Sequence, residues 1–289
     1  MEKECRTIIT IIQINMKYSI ITINYNNCDG LCRTIESVIS QTFKDYEFII
    51  IDGGSTDGSI DIIKKYQQHI SYWVSEKDEG IYNAMNKGIK VAHGEYLNFM
   101  NSGDCFFKEN ILAEVSSIID STDILVGKDY HYDANRHLGF STILPIRISM
   151  VTFFMETLPH QGAFIKRELF KHTLYDENLR ISADWAFYLK KIVIENCSVK
   201  LIPIIVSNRE QGGISVTQDN IRKEEREAYL RQLMPEGIYR DYETLSLLDR
   251  STLYKLMNIC ENKRANKLLT ICIKVIYRLL FKILNSKSL

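Results

Sequence analysis

Short apolar runs alternate with segments of helical spacing along the first hundred residues. Buried parallel strands, apolar because both faces are covered, are predicted for the apolar runs 18–26, 46–52, 70–76 and 95–100. Amphipathic helices are predicted for 30–41, for a segment opening near Ser55–Asp57, and for 79–94. This order predicts an α/β fold, with a doubly wound, mostly parallel sheet flanked by helices.

The pattern is less regular after residue 105. We expect a helix over 111–120, a strand over 123–132, an amphipathic helix over 182–196 and a strand over 198–210. The charged segment 220–232 predicts a helix with a solvated surface.

We expect three parts along the chain. An N-terminal extension over 1–16 lies outside the fold, with Met16 as the natural start. A domain over 17–219 follows, and then a C-terminal helical region over 220–289.

Polar side chains gather where each of the first four predicted strands ends. The clusters are Asn24–Asn26, Asp52–Ser55, Glu76–Asp78 and Asn101–Asp104. In open α/β sheets, ligands bind at the carboxyl ends of the strands. Four polar clusters at one edge of one sheet therefore predict a binding site there.

Composition narrows the function. Lysine plus arginine equals aspartate plus glutamate, 36 each, so there is no net positive field to attract nucleic acid. The 7 cysteines contain no C-x-x-C pair, which argues against a zinc site or a disulfide framework and favours a reducing, cytoplasmic setting.

The C-terminal stretch 266–287 is largely apolar and carries a basic stripe at Lys274, Arg278 and Lys282, four residues apart. Three central cations argue against a membrane-spanning helix. An interfacial helix on an anionic membrane would carry them readily, and we favour that interpretation. Docking on the domain, with the cations outward, is the alternative.

Four segments resemble the successive motifs of family-2 glycosyltransferases: "YSIITINYNN", "QTFKDYEFIIIDGGSTDGS", "DEGIYNAMNKGIKVAHGEYLNFMNSGD" and "ISADWAFYLK". These are inverting enzymes with the GT-A fold, and the likeness is strongest to members that build bacterial capsule, exopolysaccharide or O-antigen. The resemblance implies transfer from a nucleotide-diphosphate-sugar donor to a lipid-linked saccharide acceptor in surface polysaccharide synthesis. It also implies a peripheral location at the inner face of the cell membrane.

The donor site follows from the strand ends and the resemblance together. Asp52 ends a strand before two glycines, where a carboxylate can accept hydrogen bonds while a ligand approaches closely. The resemblance implies that Asp52 contacts the nucleotide base and that Tyr25 lies beside that base. A helix N-cap or a tight turn is the simpler alternative for Asp52. We assign further nucleotide-sugar contacts to Asn24, Asp78, Asn86 and Asn101. Helix capping is the simpler alternative for Asp78, and a surface amide is the simpler alternative for Asn86.

The turn Asn101-Ser102-Gly103-Asp104 stands where the family has an aspartate-rich D-x-D turn for a divalent cation. Only Asp104 remains as a carboxylate. Mg²⁺ or Mn²⁺, which prefer oxygen ligands, would be held by Asp104 and completed by diphosphate oxygens and water. Asn101 is expected to contact either the ribose or the metal.

Inversion requires a base that takes the proton of the acceptor hydroxyl. Asp184 occupies the family's catalytic-base position, in the first turn of a predicted helix. His160 matches a recurring family histidine near the acceptor or the diphosphate, and a structural role is the simpler alternative for a lone histidine. Trp185 would offer either a platform for a sugar ring or core packing, and the loop 211–215 resembles one that closes over the donor.

Three other functions fit the sequence less well. A noncatalytic sugar-nucleotide-binding scaffold would explain the loss of D-x-D carboxylates, although Asp104 and Asp184 both argue for an enzyme. A dinucleotide-dependent oxidoreductase would need G-x-G-x-x-G after the first strand, where "NYNNCDG" stands instead, and no P-loop motif occurs.

Overall fold

The computed structural model describes residues 16–133, 138–210 and 217–286 of the 289-residue chain. The chain divides into two compact units. The first holds the residues up to Pro145 together with Thr157–Tyr229, and the second holds Ile146–Glu156 and the residues from Leu230 on. Apart from Met16, the expected extension over 1–16 lies outside the described residues.

The first four strands form a parallel half-sheet, as predicted. Strand β1 (Tyr18–Asn24) lies between β2 (Tyr46–Asp52) and β4 (Tyr96–Phe99), and β3 (Tyr72–Ser75) pairs with β2. The register sets Asn24 beside Asp52, and Asp52 beside Ser75. The last residues of three strands are therefore neighbours, as the polar clusters required.

Three helices connect these strands: α1 (Cys28–Ile39), α2 (Ser59–Lys65) and α3 (Ile81–Val91). Helix α2 begins later than expected, because Gly58 has a φ of 99° and the Asp57 carboxylate accepts hydrogen bonds from both the amide and the hydroxyl of Ser59. Residues 55–58 are therefore an ordered turn rather than the first turn of the helix.

The second half of the sheet is mixed. It contains β5 (Cys105–Phe106), β6 (Ile124–Asp133), β7 (Leu138–Ser141), β8 (Ala163–Lys166) and β9 (Val199–Glu210). The strand order is β3-β2-β1-β4-β8-β6-β9-β5, with β7 paired to β6. Because β8 enters antiparallel between β4 and β6, the sheet is parallel along β3 to β4 and mixed beyond it.

The core below the strand ends consists of apolar side chains from the sheet and from helices α1 and α4 (Ile111–Ile118). It includes Ile20, Leu31, Phe48, Tyr96, Val115 and Phe164, all fully buried. This packing holds the strand ends in fixed register, which keeps the loops that follow them at one edge of the sheet.

The helix predicted over 182–196 has two parts. Helix α6 (Ala183–Tyr188) is followed directly by a wider π-helical segment, Leu189–Ile194. Helix α7 (Asp219–Leu233) covers the predicted charged helix. Segments of π-helix are rare and often occur at functional sites, and this one directly follows the helix that carries Asp184.

The second unit is helical. It contains α5 (Met150–Met155), α8 (Glu236–Ser246), α9 (Arg250–Glu261) and α10 (Lys263–Ser286). Phe154 of α5 packs against Tyr239 and Tyr242 of α8. Among the described helices, none combines the length and apolar character needed to cross a membrane.

Candidate functional site

Asp52 organises the loops at the end of β1, β2 and β3. Its carboxylate is 0% exposed and accepts hydrogen bonds from Asn24 Nδ2 (2.8 Å), Ser75 Oγ (2.6 Å) and Ser55 Oγ (2.6 Å). The amides of Gly54 and Ser55 also donate to it. Burial raises the pKa of Asp52, but these hydrogen bonds outweigh burial, so the pKa is lowered and the carboxylate stays ionised.

Asp52 therefore fixes the turn that follows it. For Asp52 to accept a hydrogen bond from a base, one of these five protein hydrogen bonds would have to break, so that contact stays a prediction. Asn24 is also nearly buried, and its Nδ2 donates to Asp52 and Ser55. Both residues shape the loop on which a nucleotide would lie.

Tyr25 and Asp78 lie on either side of Gly53, which is itself buried. The Tyr25 side chain is 68% exposed, which leaves its ring accessible to a base. A Cβ on Gly53 would lie 3.1 Å from Asp78 Oδ2 and 3.2 Å from the Tyr25 ring, so the glycine permits close approach here. Asp78 is held by Lys87 Nζ at 2.7 Å, an interaction that the sequence did not reveal.

Asn86 lies on the buried face of α3 and is 1% exposed. Its Nδ2 donates to the Tyr175 carbonyl (2.9 Å) and to Glu177 Oε1 (2.7 Å), while its Oδ1 accepts from the Tyr175 amide (3.0 Å). The surface-amide alternative is therefore wrong. In this structure the Asn86 side chain ties α3 to the segment 175–177, and its contact with a donor stays a prediction.

The turn Asn101–Asp104 is anchored on helix α1. Thr34 Oγ1 donates to the Asp104 carbonyl (2.7 Å) and accepts from the Gly103 amide (3.0 Å). Gly103 has a φ of 102°, which favours glycine at this point of the turn. Gln161 Nε2 donates to Asp104 Oδ2 at 2.9 Å, and the buried Asn101 Oδ1 has no hydrogen-bond partner.

This turn fits a divalent cation held mainly by oxygen ligands. Within the described residues, no three Asp, Glu, His or Cys side chains come together as a metal centre. Asp104 supplies a carboxylate, and the side-chain oxygens of Asn101 and Gln161 are buried without partners. One carboxylate with amide oxygens suits Mg²⁺ or Mn²⁺ better than zinc or copper.

Asp184 stands in the first turn of α6, with a different neighbour at each carboxylate oxygen. Tyr82 donates its hydroxyl to Oδ1 at 2.8 Å, and Nδ1 of His160 lies 3.8 Å from Oδ2. The Asp184 side chain is 18% exposed, so it is reachable from solvent. Burial, reinforced by the charge of Asp184, raises the pKa of Tyr82 well above its usual value and keeps its phenol protonated.

His160 is stacked on Phe99, with ring centroids 5.3 Å apart. Both of its ring nitrogens are buried without hydrogen-bond partners. Burial lowers the pKa of His160, against the opposing charge of Asp184, so the imidazole is neutral near pH 7. A neutral ring with two unsatisfied nitrogens can donate or accept one hydrogen bond toward a ligand.

Trp185 is fully buried. Its indole makes an edge contact with Tyr229 at 5.7 Å and has the Arg226 guanidinium 5.1 Å above it. Of the two alternatives, the structure shows packing, and the indole offers no exposed face to a sugar ring.

A carboxylate from α7 holds the start of α6. Glu225 accepts hydrogen bonds from the backbone amides of Arg180, Ile181 (3.1 Å) and Ser182 (3.0 Å), directly before the helix that carries Asp184. The expectation of a solvated surface for 220–232 is therefore wrong for Glu225, because its carboxylate satisfies amides left unpaired at a helix start.

A cavity of about 260 Å³ lies at the start of α3. Its walls include Tyr82, Asn83, Glu177 and Arg180. Tyr82 thus belongs both to this cavity and to the contact with Asp184. The loop expected to close over a donor, 211–215, lies outside the described residues.

Three residues of this site were missed by the sequence analysis: Tyr82, Gln161 and Glu225. Tyr82 shares the helical spacing of Asn86 and Ile89 on the buried face of α3, so its position alone is typical of a core residue and gives no sign of a contact with Asp184. Gln161 follows His160 directly, and nothing in the local sequence indicates its contact with Asp104. Nothing in the local sequence distinguishes Glu225 from Glu224 or Glu227.

Comparison with known proteins gives the family and the fold of this chain. The model of glycosyl transferase family 2 matches residues 19–196. An uncharacterised glycosyltransferase of Mycobacterium tuberculosis is 34% identical over 181 residues, or 61% of this chain and 69% of that protein. A PGL/p-HBAD biosynthesis glycosyltransferase of Mycobacterium bovis is 29% identical over 209 residues, or 69% of this chain and 79% of that protein.

Solved structures share the fold at low identity. Residues 1–349 of S. aureus TarS, in complex with UDP-GlcNAc, align with a TM-score of 0.59 and 19% identity over 70% of this chain and 61% of that one. The mannosyltransferase PcManGT from Pyrobaculum calidifontis, in complex with GDP-Man and Mn²⁺, aligns with a TM-score of 0.59 and 12% identity over 90% of this chain and 80% of that one. The expected GT-A fold is confirmed. The alignment with a longer S. aureus TarS chain covers only 37% of that chain.

Proposed function

This chain belongs to glycosyl transferase family 2 and is a glycosyltransferase, and we propose that it moves a sugar, with inversion, from a nucleotide-diphosphate sugar to a saccharide acceptor. The observation that carries this proposal is the arrangement of Asp184 between Tyr82 and His160. It lies in the same compact unit as the Asp104 turn and the exposed Tyr25. The site therefore combines a base with places for a nucleotide and a diphosphate.

The donor would bind at the carboxyl ends of β1, β2 and β4. Tyr25 offers a face for the base beside Gly53, and Asp104, with the Asn101 side chain, would hold a Mg²⁺ or Mn²⁺ ion. When bound, such an ion stabilises the negative charge of the departing diphosphate. The protein's own contribution is to hold the turn rigid through Thr34 and Gly103.

The transfer step uses one carboxylate. The acceptor hydroxyl oxygen bonds to the anomeric carbon, its proton passes to Asp184, and the bond from that carbon to the diphosphate breaks with its electrons on the diphosphate. Because Oδ1 already accepts from Tyr82, we assign proton acceptance to Oδ2, on the side of His160. The neutral His160 would orient the acceptor through a hydrogen bond.

We further propose that the acceptor is lipid-linked and that α10 rests on an anionic membrane surface at the cytoplasmic face. From Lys263 to Leu289 the sequence contains no acidic residue, while Lys267, Lys274 and Arg278 lie on α10. Apolar side chains of the same helix are exposed, among them Leu268 (66%) and Ile276 (53%). Exposed apolar and basic groups on one helix suit an interface of lipid headgroups and acyl chains. This would place the enzyme in bacterial surface polysaccharide synthesis.

Calorimetric titration of UDP, dTDP and GDP, each with and without Mn²⁺, tests the donor half of the proposal. We expect one diphosphate to bind only with the metal, and the variant Asp104→Ala to lose that binding. Binding that ignores both the metal and Asp104 would contradict the assigned turn. The nucleobase of the diphosphate that binds then indicates which nucleotide sugars to use in a transfer assay.

The assay also distinguishes an enzyme from a scaffold. A noncatalytic sugar-nucleotide-binding protein would bind the diphosphate but neither hydrolyse nor transfer the sugar. An enzyme would release nucleoside diphosphate from the matching donor, and Asp184→Asn would stop that release while retaining nucleotide binding.

A further inference from the structure

The side-chain oxygen of Gln161 lies beside the proposed metal turn and lacks a hydrogen-bond partner. Gln161 is 7% exposed, and its Nε2 donates to Asp104 Oδ2 at 2.9 Å. Its Oε1 is buried and has no hydrogen-bond partner. A buried amide oxygen without a donor is unfavourable unless a ligand satisfies it.

The backbone of Gln161 is firmly held. Its carbonyl accepts a hydrogen bond from Asn98 Nδ2 at 2.9 Å, and the same nitrogen bonds the Ala163 carbonyl at the start of β8. Strand β8 is in turn paired with β4, which leads into the Asn101–Asp104 turn. The Gln161 side chain therefore reaches Asp104 from a firmly held turn directly before β8.

We propose that Gln161 is a ligand of the divalent cation, through Oε1, together with Asp104. The nitrogen and oxygen of a carboxamide have nearly the same shape, so rotation about the last side-chain torsion exchanges them. Without a cation, Nε2 faces the carboxylate, because two oxygens would repel each other. With a cation between them, Oε1 faces Asp104, and the buried oxygen gains its partner. The inference rests on the proposed function, since it concerns the metal of that site.

A carboxamide ligand also accounts for the missing carboxylates of the turn. Asn101 Oδ1, buried and likewise without a partner, stands on the same turn as Asp104. Two neutral oxygens and one carboxylate give a site of low charge, and affinity for hard divalent cations depends on that charge. The cation would then bind firmly only when the diphosphate adds its own negative oxygens.

The test compares Gln161→Glu with Gln161→Met. Each variant is titrated with Mn²⁺ in the presence of UDP or GDP, and free Mn²⁺ is measured by its electron paramagnetic resonance signal. In the Glu variant a ligating carboxylate adds charge to the site, so we expect binding tighter than wild type by about tenfold. The Met variant has no side-chain oxygen at this position and should bind more weakly than wild type. If Gln161 only donates to Asp104, both variants lose the donor and both should bind more weakly, which would overturn the proposal.

Gln161→His guards against a general effect of added charge. An imidazole ligand favours Zn²⁺ over Mn²⁺, whereas a distant field acts equally on two ions of the same charge. We expect the ratio of Zn²⁺ to Mn²⁺ affinity to rise at least about tenfold over wild type, and an unchanged ratio would contradict ligation. Melting of each variant in metal-free buffer verifies folding, and the expected rise of the Glu variant's melting temperature on adding Mn²⁺ provides a second measure.

Failure of this inference is distinct from failure of the proposed function. If wild type transfers sugar but binds no Mn²⁺ with any diphosphate, ligation by Gln161 is refuted while transfer stands. If wild type binds Mn²⁺ and the Glu and Met variants weaken it alike, the metal site stands and Gln161 is a positioning residue for Asp104.

Discussion

Tyr82 on α3 and Asp184 on α6 are joined by a hydrogen bond of 2.8 Å, although 102 positions separate them in the sequence. The same hydroxyl lies 2.7 Å from the carbonyl of Ile181, just before α6. Tyr82 therefore determines where the proposed base stands relative to the donor edge of the sheet.

Replacing Tyr82 with Phe removes that hydroxyl and little else. Because a hydrogen bond to a charged group contributes about 1.5–3 kcal/mol, we expect the transfer rate to fall by about tenfold or more. Nucleotide binding should remain near the wild-type level. Steady-state transfer and calorimetry measure the two effects. The control is Tyr66→Phe, which removes an exposed hydroxyl bonded to Glu36. Equal losses in both variants would contradict a specific role for Tyr82.

Asp184→Asn tests the base itself. The amide keeps the shape of the side chain and cannot accept the proton, so we expect the transfer rate to fall by about 10² to 10⁴-fold. Diphosphate affinity should change little, because Asp184 is assigned to the acceptor side. Asp176→Asn, an exposed carboxylate in the same unit, serves as a control. Transfer that survives in the Asp184 variant would refute this assignment.

Glu225→Ala leaves three amides before α6 without their acceptor. We expect a loss of about 1–3 kcal/mol in the free energy of unfolding, together with slower transfer, because the helix start that carries Asp184 loosens. Denaturant unfolding and the transfer assay measure these. The neighbouring exposed Glu224→Ala is the matched control. If both variants behave alike, the amides before α6 do not depend on Glu225.

Asp129 makes stability depend on pH. Burial, only partly offset by the Ser207 hydrogen bond, raises its pKa from 3.8 to about 6. The folded state therefore binds more protons than the unfolded state between about pH 4 and pH 6, and Asp129 reduces stability as pH rises through that range.

Asp129→Asn removes this titration while retaining an acceptor for Ser207. Between pH 4 and pH 7, we expect the free energy of unfolding of the variant to rise by about 2–3 kcal/mol relative to that of wild type. Denaturant unfolding at both pH values measures this difference. Asp123 provides the opposite case, because hydrogen bonds from Ser198 outweigh burial and lower its pKa. Asp123→Asn should lose stability at neutral pH. If the difference in unfolding free energy between Asp129→Asn and wild type is the same at both pH values, the Asp129 carboxyl of wild type does not titrate in this range.

The basic residues of α10 should control membrane contact. Replacing Lys267, Lys274 and Arg278 with Gln should reduce binding to vesicles rich in anionic lipid, since each cation contributes about 1 kcal/mol near such a surface. Sedimentation with anionic and neutral vesicles measures this. Replacing the exposed Lys44, Lys108 and Lys171 of the first unit instead provides a charge-matched control. Equal binding by the two triple variants would refute a specific role for α10.

The sequence by itself determined the α/β class, the parallel order of the first four strands and the edge at which the polar clusters meet. These follow from local periodicity, because buried strands and amphipathic helices leave their pattern in consecutive residues. It also marked Asp184 and Asp104, since the motifs around them are contiguous.

Tertiary structure alone decided which of the marked residues are buried against partners and which stay accessible. Asp52, Asn86 and Trp185 follow strong local patterns, yet their side chains are buried against partners from other elements. The hydrogen-bond partners of Tyr82, Gln161 and Glu225 are distant in the sequence. Tyr82 contacts a residue 102 positions away, Gln161 one 57 positions away, and Glu225 residues 43 to 45 positions away. A hydrogen bond depends on distance in space rather than in the chain, so only folding could bring these pairs together.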